Sequence, residues 1–170
     1  VEIGAGGGSI AKVDNMNRIT VGPESAGANP GPASYGQGGS DATVTDADVV
    51  LGRIDPEGFA GGAVDLQPKL ANQALETAVG KGMSLDSTFS AFGVSEIVDE
   101  NMANAARVHA IEWGKDISAR SMIAFGGAAP LHAVRLAEKL NINKLIIPAG
   151  AGVGAAIGFL RAPISYEVVR

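Results

Sequence analysis

Met122-Ile123-Ala124-Phe125-Gly126-Gly127-Ala128-Ala129-Pro130-Leu131-His132 reads as a strand, a tight turn and a helix start. Four apolar residues run into a double glycine, and Pro130 then opens an apolar helical pattern that continues to Leu140. Such a junction lets backbone N–H groups at a helix start face an anion, and the missing Cβ atoms let a ligand lie close. Downstream, Lys144–Pro148 reads as a second buried strand. Gly150–Gly158 reads as a glycine- and alanine-rich helix start that permits close packing. This alternation of strand and helix predicts an α/β layer with parallel strands.

Upstream, Ser84-Leu85-Asp86 caps a short helix ending near Gly93, followed by the longest helix, over about 94–113. Its expected apolar stripe is Val94, Ile97, Val98, Met102, Ala105, Val108, His109 and Trp113. Asp65–Pro68 begins another helix, with Gly80 or Gly82 as its stop. Thr45–Gly52 reads as a short helix capped by Thr45 or Asp46. Residues 22–46 read as a long ordered loop, either functional or specific to the fold. Residues 1–22 read as hairpin-like, with a turn at Gly4–Ser9, another at Asp14-Asn15 and a strand at Arg18–Val21. The whole is one segment, turn-rich over 1–62 and helix-rich over 63–170.

The chain has 170 residues, 46% hydrophobic and 18% charged, which is a globular composition. Its net charge of -5 and scattered cations give no nucleic-acid footprint. Without cysteine it has no disulfide, thiolate metal site or cysteine nucleophile, which fits a cytoplasmic protein. No apolar run reaches transmembrane length, so no membrane partner is expected. The start at Val1, close to a glycine-rich motif, leads to the expectation of a segment from a longer protein.

Gly-Lys-Ser/Thr is absent, so a P-loop is unsupported. Gly4-Ala5-Gly6-Gly7-Gly8-Ser9 begins like a dinucleotide fingerprint, but Ser9 replaces its third glycine. Two histidines cannot make a typical zinc site alone. His109 reads as a core histidine. His132 reads as a packing or site residue whose protonated form a helix N-terminus would disfavour. Asp46 is the candidate for a Mg²⁺-linked or substrate contact, with helix capping as the alternative. Ser9, Ser34 and Tyr35 have no evident base, so nucleophilic catalysis is unsupported.

The strings Ile3–Ile10, Gly22–Gly36, Thr43–Ala47 with Leu51–Arg53, and Phe125–Ala133 occur in an order similar to that of the hydantoinase A / 5-oxoprolinase family. The resemblance runs from Gly4 to about Ala162. Many relatives carry glycine at the position of Ala129 and cysteine at that of Ser34, so no cysteine chemistry carries over. The resemblance implies an α/β, actin-like ATPase (ribonuclease H-like) lobe. It implies ATP and Mg²⁺ as cofactors and a hydantoinase B-type partner subunit, with a homo-oligomer left open. Ring opening of a hydantoin or 5-oxoproline would proceed through phosphorylation of a carbonyl oxygen. The alternatives are a ketone carboxylase subunit and a nucleotide-binding or assembly domain without chemistry.

By the same resemblance, Gly126, Gly127 and Ala128 contact adenosine or ribose. Gly6, Gly7, Gly8, Ser9, Asp46 and His132 are cleft-lining candidates. The phosphate-binding loops of such a fold are expected upstream of Val1, so the isolated chain is expected to have little or no ATPase activity.

Overall fold

The computed structural model describes residues 3–166. Two antiparallel strands, β1 (Ser9–Val13) and β2 (Ile19–Ser25), pair Ala11 with Val21 and Val13 with Ile19. The period-2 alternation buries Ala11 and Val21 and leaves Lys12 outward. Their turn is built by Asp14, whose Oδ1 accepts from the N–H groups of Met16 and Arg18 at 2.8 and 3.0 Å. On its other edge β1 meets residues 42–43: the Ala11 N–H donates to Ala42 O at 2.8 Å, and Ile10 bridges Thr43.

Helix α1 (Val44–Val50) starts two residues earlier than the sequence suggested. Thr43 is its cap, and Asp46 occupies the third helical position, where it closes a capping box. Helix α2 (Pro68–Leu75) runs through a π turn at Glu76–Gly80 into α3 (Lys81–Met83). Neither Gly80 nor Gly82 stops it; the chain turns at Ser84, with φ 57°. Gly80 instead admits the Leu85 carbonyl, which would lie 2.7 Å from a Cβ.

The two expected helices on either side of Gly93 are one, α4 (Ser87–Glu112), capped by Asp86 through a 2.8 Å bond from the Phe89 N–H. Gly93 is internal because Ile19 Cδ1 packs where its Cβ would stand, 2.7 Å away. Helix α4 buries Ala91, Val94, Val98 and Ala103, but Val108, Ile111 and Trp113 near its end are exposed. His109 is therefore not a core histidine: it is about half exposed and stacks edge-on with Trp113 at 6.1 Å.

A strand–helix–strand unit follows: β3 (Ser121–Ile123), α5 (Ala129–Lys139) and β4 (Lys144–Ile146). The strands are parallel, with Met122 opposite Leu145, as the alternation predicted. They are shorter than expected and not buried, since Ile123, Phe125, Ile146 and Ile147 are exposed. Helix α6 (Gly154–Arg161) begins against Phe125, whose Cβ would be 3.0 Å from a Cβ at Gly154; this is the close packing expected of its glycines. One core joins Ala11, Val21, Ala42 and Val44 to Leu75, Val79, Val94 and Val98, so turn-rich and helix-rich parts share an interior. No helix among the described residues is long and apolar enough to cross a membrane.

Candidate functional site

The double glycine divides its work. Gly126 has φ +105°, a conformation that side chains rarely adopt, and its N–H donates to Ala151 O at 2.7 Å. Gly127 lies outside the left-handed region, and nothing stands within 4 Å of the place a Cβ would take. Ala128 is the N-cap of α5, and no side chain caps that helix.

Opposite lies the N-terminal glycine loop, which Ser9 holds closed. The buried Ser9 Oγ accepts from the Gly6 N–H at 3.0 Å and donates to Gly4 O at 3.4 Å. A Cβ at Gly7 would stand 2.6 Å from Thr45 Oγ1 and 4.0 Å from Ala128 Cβ; one at Gly8 would stand 2.8 Å from Ser25 Oγ. Gly7 and Gly8 are thus crowded by the hydroxyls of Thr45 and Ser25, while the space at Gly6 is open. Ala5, Gly6, Val98, Met102, Ala128 and Ala129 line a crevice of about 80 Å³, and His132 is its only ionisable lining side chain. The structure therefore brings Gly6 and Gly7 up to Ala128 and His132, beside the double glycine. Ser9 lies behind the loop as a latch.

His132 is buried between two carboxylates. Its Nδ1 is 2.7 Å from Asp99 Oδ1 and its Nε2 is 3.2 Å from Asp48 Oδ2. All three side chains are almost wholly buried. Arg53 completes a neutral group of two cations and two anions: it donates to Asp48 Oδ1 at 3.0 Å and to Ser95 Oγ at 2.7 Å. Burial pushes the imidazole pKa down, but hydrogen bonds and charge from Asp48 and Asp99 outweigh it and raise the pKa to about 9. His132 is therefore an imidazolium that donates from both nitrogens. This reverses the expectation that the helix N-terminus keeps it neutral, because two carboxylates in contact exceed a partial charge. Sequence reasoning missed Asp48, Asp99 and Arg53. The available signal was a carboxylate at a buried helical position, Asp48 after Ala47 and Asp99 after Val98.

Asp46 is not cleft-lining. It is fully buried, and its Oδ1 accepts from the Ser34 N–H at 2.7 Å. Its Oδ2 accepts from the N–H groups of Ala33 (3.2 Å) and Thr43 (2.9 Å) and from the Thr43 hydroxyl (2.8 Å). This clasp orders the preceding loop and leaves the carboxylate no room for a metal. Among the described residues, no group of three or more His, Cys, Asp or Glu side chains is arranged to hold an ion. The Mg²⁺ implied by the resemblance finds no all-protein carboxylate cage among the described residues.

The pattern of the hydantoinase/oxoprolinase family matches residues 1–168. The alpha subunit of caprolactamase from Pseudomonas jessenii is 38% identical over 165 residues, covering 97% of this chain and 24% of that one. The gamma subunit of acetophenone carboxylase from Aromatoleum aromaticum is 41% identical over 159 residues, covering 93% and 21%. The crystal structure of the ATP-dependent caprolactamase superimposes with a TM-score of 0.82 at 38% identity, over 90% of this chain and 22% of that one. Nucleotide-free acetone carboxylase does so with 0.82 at 30%, over 91% and 22%. This shared α/β fold agrees with the actin-like ATPase reading of the sequence. The chain spans between 13% and 25% of the length of the curated relatives it matches.

Proposed function

The chain belongs to the hydantoinase/oxoprolinase family, and on that premise we propose that it forms part of an ATP-using subunit that opens a cyclic amide of the hydantoin, lactam or 5-oxoproline type. One observation carries the reading: the Gly126-Gly127-Ala128 turn has open space at Gly127 and adjoins the crevice it shares with Gly6. Transfer of the ATP γ-phosphoryl group to the carbonyl oxygen, with ADP leaving, would make the ring carbon electrophilic enough for water to add and for the ring nitrogen to depart. Gly127 leaves room for adenosine or ribose against the backbone, Gly126 holds the turn in place through Ala151, and Gly6 offers the opposite wall. No step is routed through Mg²⁺. A hydantoinase B-type subunit is the expected partner.

The second reading is a ketone carboxylase subunit, favoured by the 41% identity to the acetophenone carboxylase gamma subunit. Phosphorylation would then fall on an enol oxygen. The deciding assay is ATP cleavage by the full-length protein with its partner subunit, in the presence of hydantoins, lactams, 5-oxoproline or ketones. Stimulation by a cyclic amide supports the first reading and stimulation by a ketone the second. No stimulation by any of them removes the enzyme reading and leaves a nucleotide-binding or assembly role. Gly127→Val should fold, given the open space, and lose nucleotide affinity; unchanged affinity would make the turn purely structural.

A further inference from the structure

We propose that His132 is the positioning residue of the crevice: by bridging Asp48 on α1 to Asp99 on α4, it fixes the start of α5, and with it the Gly126–Ala128 turn, against the Gly6–Gly7 loop.

The contacts form a closed circuit. The Thr45 N–H donates to Gly7 O at 2.8 Å, which ties the glycine loop to the start of α1. Asp48 lies one helical turn on from Thr45 and holds His132 Nε2 at 3.2 Å. His132 lies one turn after Ala128, and Ala128 Cβ returns to within 4.0 Å of where a Gly7 Cβ would stand. Among the described residues, His132–Asp48 is the one side-chain hydrogen bond joining α1 to α5.

Helix α4 is the frame on which both ends are seated. Asp99 takes the other imidazole nitrogen at 2.7 Å, and Arg53 links Asp48 to Ser95. On its exposed side α5 is held to α4 independently: Arg135 pairs with Glu96 at 2.8 Å, and Lys139 with Glu96 and Glu100 at 3.0 and 3.1 Å. Loss of the imidazolium therefore leaves α5 docked on α4 but frees its first turn from α1. Both ring nitrogens are engaged, so His132 has no site left for a proton from a substrate; its part is geometric. Asp99 Oδ2 is buried without a partner, so the cation at Nδ1 is the contact that offsets this carboxylate's burial.

The assignment depends on the adenosine reading only for what the turn binds, and two readouts separate them. In the full-length, nucleotide-free protein, hydrogen exchange is followed in segments 4–9, 126–132 and 90–103. His132→Gln should cost the first two segments roughly tenfold more protection than the buried face of α4. In the wild type, protection of the two segments should fall as pH rises through about 9, where the imidazolium facing Asp48, Asp99 and the Arg53 charge is lost. His132→Gln should show no such fall.

Uniform loss across all three segments, or an unchanged pH profile, overturns the positioning role. Should the variant fail to fold, the wild-type pH series decides. Affinity for the non-hydrolysable analogue adenylyl imidodiphosphate is measured alongside. Loosened segments with unchanged affinity would uphold the positioning role and sink the adenosine reading, whereas unchanged segments would sink the positioning role whatever the affinity.

Discussion

His132 and Asp99 meet at 2.7 Å in a buried seam between α5 and α4, and Asp48 holds the other ring nitrogen at 3.2 Å. The seam joins residues 33 and 84 positions apart in the chain, and it is neutral only while the imidazole is charged. A buried group of this kind adds little net stability when complete and costs much when one member is removed.

Removing His132 alone strands the buried carboxylate of Asp99 and leaves Asp48 with Arg53 as its one cationic partner. His132→Gln should therefore lower stability by on the order of 3–5 kcal/mol. Adding Asp99→Asn should recover part of that loss, because it removes one stranded charge. Urea unfolding of the two single variants and the double variant tests this. Strictly additive effects would show that the pair is not coupled.

The same pair sets a pH dependence. The folded pKa of His132 is raised from the ordinary 6.5 of a histidine to about 9. Its contribution is thus fully present below about 6.5, declines as pH rises from there and is gone above about 9. The melting temperature should fall over that alkaline window, and His132→Gln should flatten the slope. An equal slope in the variant would assign the titration to another group.

On the acid side, the surface lattice between α4 and α5 makes its own forecast. Glu96 is held at about 2, chiefly by the side-chain hydrogen bond from Arg135 and then by Lys139. Its contribution is present above the ordinary carboxylate range and is lost as pH falls towards 2. Because the pair is solvent-screened, Arg135→Ala should lower stability only slightly at neutral pH, and less still in high salt. Thermal melts in low and high salt check both points.

Local signals in the sequence carried the strand–turn–helix junction, the hairpin and the parallel strands, because Gly126, Asp14 and the spacing of apolar residues act on their near neighbours. The His132 seam was not legible, because its partners come from two other helices and a charged residue on an apolar face carries no address. Gly93 and Gly80 read as stops because their true role, admitting Ile19 and the Leu85 carbonyl, belongs to tertiary packing. Hydropathy marked Ile123 and Ile146 for burial, yet it says nothing of whether a partner surface is there to cover them.

Asp46 illustrates how a capping residue can exceed its local part. Four donors converge on its carboxylate, two of them from Ala33 and Ser34, more than ten residues before it. Asp46→Asn keeps the shape but turns an amide towards those donors. Hydrogen bonds to a charged acceptor contribute about 1.5–3 kcal/mol, so the loss should be on the order of 3 kcal/mol. Exchange protection at Ala33 and Ser34 should fall with it. A variant as stable as the wild type would mean that the clasp is not what orders the loop.

The two adjacent glycines should respond oppositely to alanine. Gly126→Ala puts a Cβ on a backbone at φ +105°, where space is open but the conformation itself is strained. That strain costs of order 1–3 kcal/mol, and its relief would pull on the Gly126–Ala151 hydrogen bond that seats the start of the 3-10 turn before α6. Gly127→Ala meets no atom within 4 Å and no positive φ, so its folded state is undisturbed while its unfolded chain loses freedom. It should be neutral or gain about 0.4–1 kcal/mol. Thermal unfolding of the two variants side by side checks the pair. With stability accounted for in this way, any fall in nucleotide affinity in Gly127→Ala comes from the methyl group standing in ligand space and not from a damaged fold. A Gly127→Ala protein as destabilised as Gly126→Ala would show that this turn has no spare room for a ligand.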